Sequence, residues 1–326
     1  MKLTARIERW PVAGAFTIAR GAKTHVDVVV AELADRDGVI GRGAGTPIYY
    51  HGETAETVLA AVLSQADALA AGLTREDLQA RLPRGAARNA LDCALWDIAA
   101  KQSGQPVWRL AGLAEPAPSV TAFTISLADP ARMEADARAA AGRPLLKLKL
   151  AGEGDRERVA AVRRGAPEAR LIVDANEAWT GRDVAAEAEV LKPFGVELIE
   201  QPIAHGQDAL LDGIDSPIPL AADESCQDRA DLDRCVGRYQ AINIKLDKCG
   251  GLTEALALAT AAEAMGLEVM VGCMLSTSLG IAPAFLLADQ ARWIDLDGAL
   301  LLAADRDMAM SIDRGCLMPP APALWG

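Results

Sequence analysis

In the second half of the 326-residue chain, charged side chains fall at the ends of short apolar runs. Lys147-Leu148-Lys149 closes one run, Asp174 the next, and Glu200, Asp223, Lys245 and the pair Asp295 and Asp297 follow. If those ends meet at one mouth, Asp174, Glu200 and Asp223 cannot all stay ionised without a cation, because like charges raise one another's pKa. Three hard oxygen donors suit a divalent ion, with magnesium (one Mg2+ per site) the default. One such carboxylate alone reads as a helix N-cap or an ion-pair partner; three in register on successive strands argue for a metal. Lys149 and Lys245 suggest something further. Two bases on opposite faces of one carbon can carry a 1,1-proton transfer, one removing the proton and the other returning it. A lysine does this only if its pKa falls toward neutrality, which a nearby cation favours, whether metal or Lys147. Lys147 shares a strand face with Lys149 and reads equally as an electrostatic partner or as half of a structural ion pair.

These residues need a scaffold that brings distant strand ends together. Apolar runs occur at Val120–Ile125, Leu145–Leu150, Leu171–Asp174, Glu197–Glu200, Pro219–Asp223, Ala241–Leu246, Glu268–Cys273 and Trp293–Leu296. Most gaps hold an Ala-rich helical stretch, and a period of roughly 22–28 residues is one strand-plus-helix unit. Eight units close a (β/α)8-type barrel, whose sites lie at the C-terminal strand ends and whose second and sixth strands stand opposite each other. An open doubly wound sheet is the alternative, but no G-x-G-x-x-G or phosphate loop follows any strand. Ahead of the barrel, Lys2–Trp10 and Val26–Leu33 read as strands. Asp35-Arg36-Asp37-Gly38 reads as a hairpin turn. Thr54–Ala71, Thr74–Leu82 and Ala86–Ser103 read as helices, the last with Ala90, Leu91, Ala94, Leu95, Ile98 and Ala99 on one stripe. The expected fold class is α/β: a modified TIM-like barrel over 116–305, an α+β capping domain over 1–115 joined at Ala114-Glu115-Pro116-Ala117-Pro118, and a segment 306–326 returning to the cap.

A net charge of −12 argues against nucleic acid or an anionic membrane as partner. The composition, 51% hydrophobic and 24% charged, is that of a globular enzyme. Six cysteines form no C-x-x-C pair and have no histidine close in sequence, so zinc is not expected. With neither an apolar leader nor a run of membrane-spanning length, free thiols point to the cytoplasm. A homo-oligomer is left open.

Lys147-x-Lys149, Val173-Asp174-Ala175-Asn176, Glu200-Gln201-Pro202, Asp223-Glu224-Ser225 and Asn243-Ile244-Lys245 resemble, in order and spacing, the muconate-lactonizing subgroup of the enolase superfamily. The likeness extends to the helix Ala86–Asp97 and covers nearly the whole chain. It implies a lysine base and magnesium stabilising an ene-diolate, as in the superfamily at large. Asp295-Leu296-Asp297 is similar to the strand-eight signature of the dipeptide epimerases, in which two aspartates hold the substrate's α-ammonium. Taken without the family, Asp297-Gly298 is also a plain turn. The segment Phe16-Thr17-Ile18-Ala19-Arg20-Gly21 resembles their specificity loop. There Phe16 and Ile18 would cover the mouth, and Arg20 would meet a distal carboxylate, as in the L-Ala-D/L-Glu epimerases of murein-peptide recycling. Thr124 and Cys273 are candidate substrate contacts or interior packing.

The implied activity is magnesium-dependent epimerisation of a dipeptide at its second α-carbon. A cycloisomerase or o-succinylbenzoate synthase of the same superfamily shares the metal and both lysines but needs no acidic pair for an ammonium. A Schiff-base aldolase would need one desolvated lysine and no metal. A binding barrel without catalysis would bury this many charges to no end.

Overall fold

The computed structural model describes residues 1–18 and 21–326. An antiparallel sheet of β1 (Lys2–Ile18), β2 (Gly21–Ala34) and β3 (Ile40–Gly45) opens the chain. The β2–β3 turn is made by Asp35, whose Oδ1 accepts the amides of Asp37 and Val39, with Gly38 at φ +82°. The first two strands run well beyond the stretches expected of them. After a register shift between Pro11 and Phe16 they pair again, Phe16 with Lys23 and Ile18 with Gly21. The segment expected as a covering loop is thus, over its described residues, the end of a long two-stranded arm. The barrel holds that arm in place. Ala13 N–H donates to Leu301 O and Leu127 N–H to Thr17 O.

The expected helix Thr54–Ala71 is broken at Ser64-Gln65 into α1 (Ala55–Leu63) and α2 (Ala66–Ala70). Thr54 and Thr57 close a capping box at its start. After α3 (Arg75–Arg81), α4 (Ala86–Ser103) has the bounds the apolar stripe gave. Its environment differs from that of an ordinary amphipathic helix, since its polar side faces protein as well. The apolar side lies on β3, where Gly41, Gly43 and Gly45 alternate on one face; a Cβ at Gly43 would stand 2.1 Å from Ala90 O. The other side grips the second half of the chain. Arg88 donates to Cys249 O and Gly250 O, Asn89 to Asp247, and Trp96 Nε1 to Thr253 Oγ1.

Asp92, wholly buried on that side, accepts from the Thr253 amide and hydroxyl and from Gln79. Burial pushes its carboxyl up from the usual 3.8 to about 6, against the downward pull of the Thr253 bonds. The native state therefore keeps a proton that the unfolded chain gives up near pH 4. Stability from this group is complete below about pH 4 and declines as pH rises to about 6. Asp92→Asn should flatten that stretch of the melting temperature against pH, measured by scanning calorimetry. An unchanged slope would assign the dependence to other groups.

The expected first barrel run divides in two. β4 (Ser119–Val120) joins a small sheet, while β5 (Phe123–Ile125) begins the barrel. β6 (Leu145–Lys149), β7 (Arg170–Asp174), β8 (Val196–Glu200), β9 (Leu220–Ala222), β10 (Ala241–Lys245), β11 (Glu268–Gly272) and β12 (Trp293–Asp295) follow in sequential parallel order. Ala122 N–H donates to Ile294 O, and Leu296 N–H to Thr121 Oγ1, which closes the ring between its two edges. The helical layer is incomplete, as a modified barrel implies. Among the described residues, the β8–β9 connection holds one short 3₁₀ turn, Asp208–Leu211, and no helix follows β12. β13 (Ile312–Asp313) then pairs with β14 (Cys316–Leu317), which pairs in turn with β4. At the chain's end Trp325 Nε1 donates to Cys93 O and Gly326 N–H to Asp97. No helix among the described residues is long and apolar enough to cross a membrane.

Period-two alternation sorts the barrel interior into layers. Ala122, Leu145, Ile172, Leu198, Ala221, Ala241, Met270 and Trp293 form one apolar layer at the N-terminal end. Two residues further along almost every strand, the inward side chain is polar. This layer is the floor under the charged end.

Candidate active site

The charged end opens into a cavity of about 330 Å³. The arm supplies Phe16, Ile18 and Lys23 to its wall, and the loop after β3 supplies Tyr49 and Tyr50. Strand ends supply Thr124, Lys147, Lys149, Asp223, Lys245, Cys273, Asp295 and Asp297. Asp174 and Glu200 lie directly beneath, buried, and are joined to this set by ion pairs. Every sequence-derived site residue is therefore at one mouth except Arg20, which lies outside the described residues. Lys149 and Lys245 stand on β6 and β10, four strands apart in a ring of eight.

The pairing within the cluster is specific. Lys149 Nζ is 2.6 Å from Asp174 Oδ2, and Lys245 Nζ is 2.6 Å from Asp223 Oδ2. Lys147 Nζ, 1% exposed, bonds Glu200 Oε2 at 2.5 Å and Asp295 Oδ2 at 2.6 Å, with Asp174 Oδ2 at 3.4 Å. It is thus an ion-pair hub among three carboxylates. Among the described residues no three acidic, histidine or cysteine side chains converge as a metal cluster; the lysine ammoniums stand among the carboxylates instead.

Electrostatics follow from this arrangement. Burial opposes the charged form of Lys147, but Asp295, Glu200 and Asp174 outweigh it and hold its pKa well above the usual lysine value. Lys245 is likewise raised: burial lowers it, and Asp223 and Glu200 overcome that. This is the opposite of the fall expected for a base, because its carboxylate neighbours hold its proton. Burial pushes Glu200 up, reinforced by Asp174, whereas lysines overcome burial to bring Asp174 down to about 2 and Asp223 well below its usual value. Three interacting buried carboxylates on adjacent strands are hard-oxygen donors of the kind a divalent cation takes, here partnered by the lysine ammoniums.

On the opposite wall, Asp297 Oδ2 accepts the Thr124 amide at 2.6 Å. Burial and then Asp295 push its carboxyl up to about 7. Cys273 Sγ donates to Asp295 O, and burial raises its thiol well above the usual value.

Three residues escaped the sequence reading. Lys23, opposite Phe16 on the arm, brings a cation to the mouth with Nζ 4.4 Å from the Tyr49 ring centroid, and burial lowers its pKa. Asn243, one strand alternation before Lys245, donates Nδ2 to Glu200 Oε1 at 2.8 Å. It has room only because residue 272 is glycine, where a Cβ would meet Asn243 Oδ1 at 2.6 Å. Lys248, one helical turn after Lys245, lies under Asp223 with an ion pair of 2.7 Å. The turn Leu246–Cys249 thus carries Lys248 on one side, and Asp247, bonded to Thr46 and Asn89, on the other.

An eight-stranded parallel barrel with lysines and carboxylates at its C-terminal mouth, under an antiparallel cap, defines a class of proton-abstracting enzymes. Residues 131–320 match the enolase C-terminal domain-like family, and residues 1–112 the N-terminal domain of the mandelate racemase/muconate lactonizing enzyme family. The chain belongs to the enolase superfamily, within the mandelate racemase/muconate lactonizing enzyme family. It is 46% identical to the L-Ala-D/L-Glu epimerase of Escherichia coli over 310 residues, 94% of this chain and 96% of that one. It is 48% identical to the N-acetyl-D-glutamate racemase of a Pseudoalteromonas species over 245 residues, 75% and 78% of the two chains. An Agrobacterium tumefaciens enolase family member with homology to dipeptide epimerases, solved with sodium and L-Ala-L-Glu, superposes with a TM-score of 0.96 at 49% identity, covering 99% of each chain. The dipeptide epimerase of Enterococcus faecalis, complexed with Mg and L-Leu-L-Tyr, gives 0.91 at 29% identity over 99% and 98%.

Proposed function

We propose that this chain is a magnesium-dependent dipeptide epimerase that inverts the second α-carbon of L-Ala-D/L-Glu and similar dipeptides. The observation that carries this reading is the combination, around one cavity, of opposed Lys149 and Lys245 with the Asp295–Asp297 pair. Asp174, Glu200 and Asp223 would hold the divalent ion, whose positive charge would offset the charge that develops when the proton next to a carboxylate is removed. Lys149 Nζ takes the α-proton from one face and Lys245 Nζ supplies one to the other; in the reverse direction the roles exchange. Lys147 offsets negative charge beneath them. The raised pKa of Lys245 comes from Asp223, and a ligand role for that carboxylate loosens its hold on the lysine proton. Asp295 and Asp297 receive the α-ammonium, and the arm with Phe16 and Ile18 keeps water from the mouth. A Schiff-base aldolase is disfavoured, because every mouth lysine on a barrel strand is ion-paired to a carboxylate. A role in recycling cell-wall peptides in the cytoplasm accords with such a substrate and with six unpaired thiols.

Lys23 is a described cation suited to the second residue's distal carboxylate, with Arg20 three positions earlier in the sequence. Lys23→Ala should lower kcat/KM for Ala-Glu by about 10- to 100-fold, the worth of one hydrogen bond to a charged group, while sparing Ala-Leu. Masking the substrate amine by acetylation should cost about 3 kcal/mol or more, since the acidic pair loses its partner. A polarimetric panel of Ala-Glu, Ala-Leu, N-acetyl-Ala-Glu and N-acetylglutamate separates the readings. Preference for N-acetylglutamate would replace the dipeptide assignment with an N-acylamino-acid racemase.

A further inference from the structure

The two oxygens of each strand-end carboxylate have different partners. One oxygen of each meets a mouth lysine: Asp174 Oδ2 with Lys149, Glu200 Oε2 with Lys147, and Asp223 Oδ2 with Lys245. The other oxygen has a further partner of its own, although Glu200 Oε1 also stands 3.9 Å from Lys245 Nζ. Asp174 Oδ1 accepts the Asn176 amide at 2.9 Å, in a turn where Asn176 is held at φ +43°. Glu200 Oε1 accepts Asn243 Nδ2 at 2.8 Å, and Asp223 Oδ1 stands 2.7 Å from Lys248 Nζ. Lys248 is anchored firmly. It is 1% exposed, and its three N–H donors are taken by Asp223 O at 2.5 Å, Cys226 O at 2.8 Å and Asn243 O at 2.9 Å. One ammonium thus fixes the backbone of Asp223 and that of the residue that ties Glu200; with its three N–H groups spent there, it holds Asp223 Oδ1 by charge, at 2.7 Å, without a hydrogen bond.

We propose that Lys248 and Asn243 are positioning residues that commit Asp223 and Glu200 to a single free oxygen each, and so select a small divalent cation over a large one. The inference rests on the reading that these carboxylates hold a divalent ion. Magnesium takes six ligands in near-ideal octahedral geometry, and one-oxygen carboxylates serve it well. Calcium takes six to eight oxygens and gains from carboxylates that swing to bidentate contact. A carboxylate whose second oxygen is already held cannot swing.

The test is calorimetric titration of metal-free full-length protein with MgCl2 and, separately, CaCl2, for the wild type, Lys248→Met and Asn243→Ala. In each variant the released carboxylate should favour calcium, so the ratio of calcium Kd to magnesium Kd should fall by about tenfold or more. A merely structural role would lower the melting temperature and weaken both ions alike, leaving the ratio unchanged; that result overturns the proposal. No magnesium binding by the wild type would overturn the metal reading itself. Should either variant fail to fold, a crystal structure of the wild type soaked in calcium decides. Asp223 with one oxygen on the ion and Oδ1 still on Lys248 supports the inference. A bidentate Asp223 turned away from Lys248 refutes it.

Discussion

Lys149→Ala should abolish net epimerisation in both directions, by on the order of 10³-fold or more, because each direction needs one lysine to take the proton and the other to give one. The loss should be selective. Lys245 remains on the opposite wall, paired to Asp223, and one base suffices to wash deuterium into the epimer whose α-hydrogen faces it. Lys245→Ala should give the mirror result, with exchange confined to the other epimer. Both measurements are made by proton NMR in deuterated buffer, starting separately from each epimer. Net epimerisation near the wild-type rate in either single variant, or exchange of both epimers, would rule out the two-base account. Lys147→Ala is a different lesion. It takes the shared ammonium from Glu200, Asp295 and Asp174 at once, so metal binding and ammonium recognition should both suffer.

Stripping the protein with a chelator should reduce turnover by on the order of 10³-fold or more, and magnesium should restore it. The same ion should stabilise the fold, since it binds the native state; at one hundred times its Kd the gain is about 2.7 kcal/mol. Glu200→Gln should reproduce the chelator's effect on rate. Its Oε1 role toward Asn243 survives in the amide, but the charge between Asp174 and Asp223 is lost. Full activity in rigorously metal-free protein would end the magnesium reading, as would a melting temperature and rate indifferent to added magnesium.

How much of this was legible in the sequence depends on the range of the interactions involved. Barrel strands were readable because each needs a short apolar run, and the site because its residues end those runs at period-two positions. Lys147 with Lys149, and Asp295 with Asp297, could be assigned to one face from spacing alone. The helix α4 was located by its stripe, yet its burial on both sides was not visible, because Arg88, Asn89 and Asp92 read as a solvated face until the barrel covers them. Alternating Gly41, Gly43 and Gly45 carried a usable signal of close helix approach. The arm was shortened in the reading because Gly14 and the bulge interrupt its alternation. Lys23 was missed with it. Asn243 was within a quoted motif and Lys248 lies three residues beyond it, but their roles depend on which carboxylate oxygen they meet, and only three-dimensional packing decides that. The rise in Lys245's pKa was hidden for the same reason: spacing placed it across from Lys149 without showing that Asp223 lies 2.6 Å away.

The most direct test of the central claim is one incubation of the wild-type protein with L-Ala-L-Glu and magnesium in deuterated water, followed by proton NMR. The account predicts that the glutamyl α-proton signal disappears while the alanyl α-proton persists, and that L-Ala-D-Glu accumulates bearing deuterium at the same carbon. An unchanged glutamyl α-proton signal over many hours with active-site concentrations of enzyme, or exchange at the alanyl carbon instead, would contradict it.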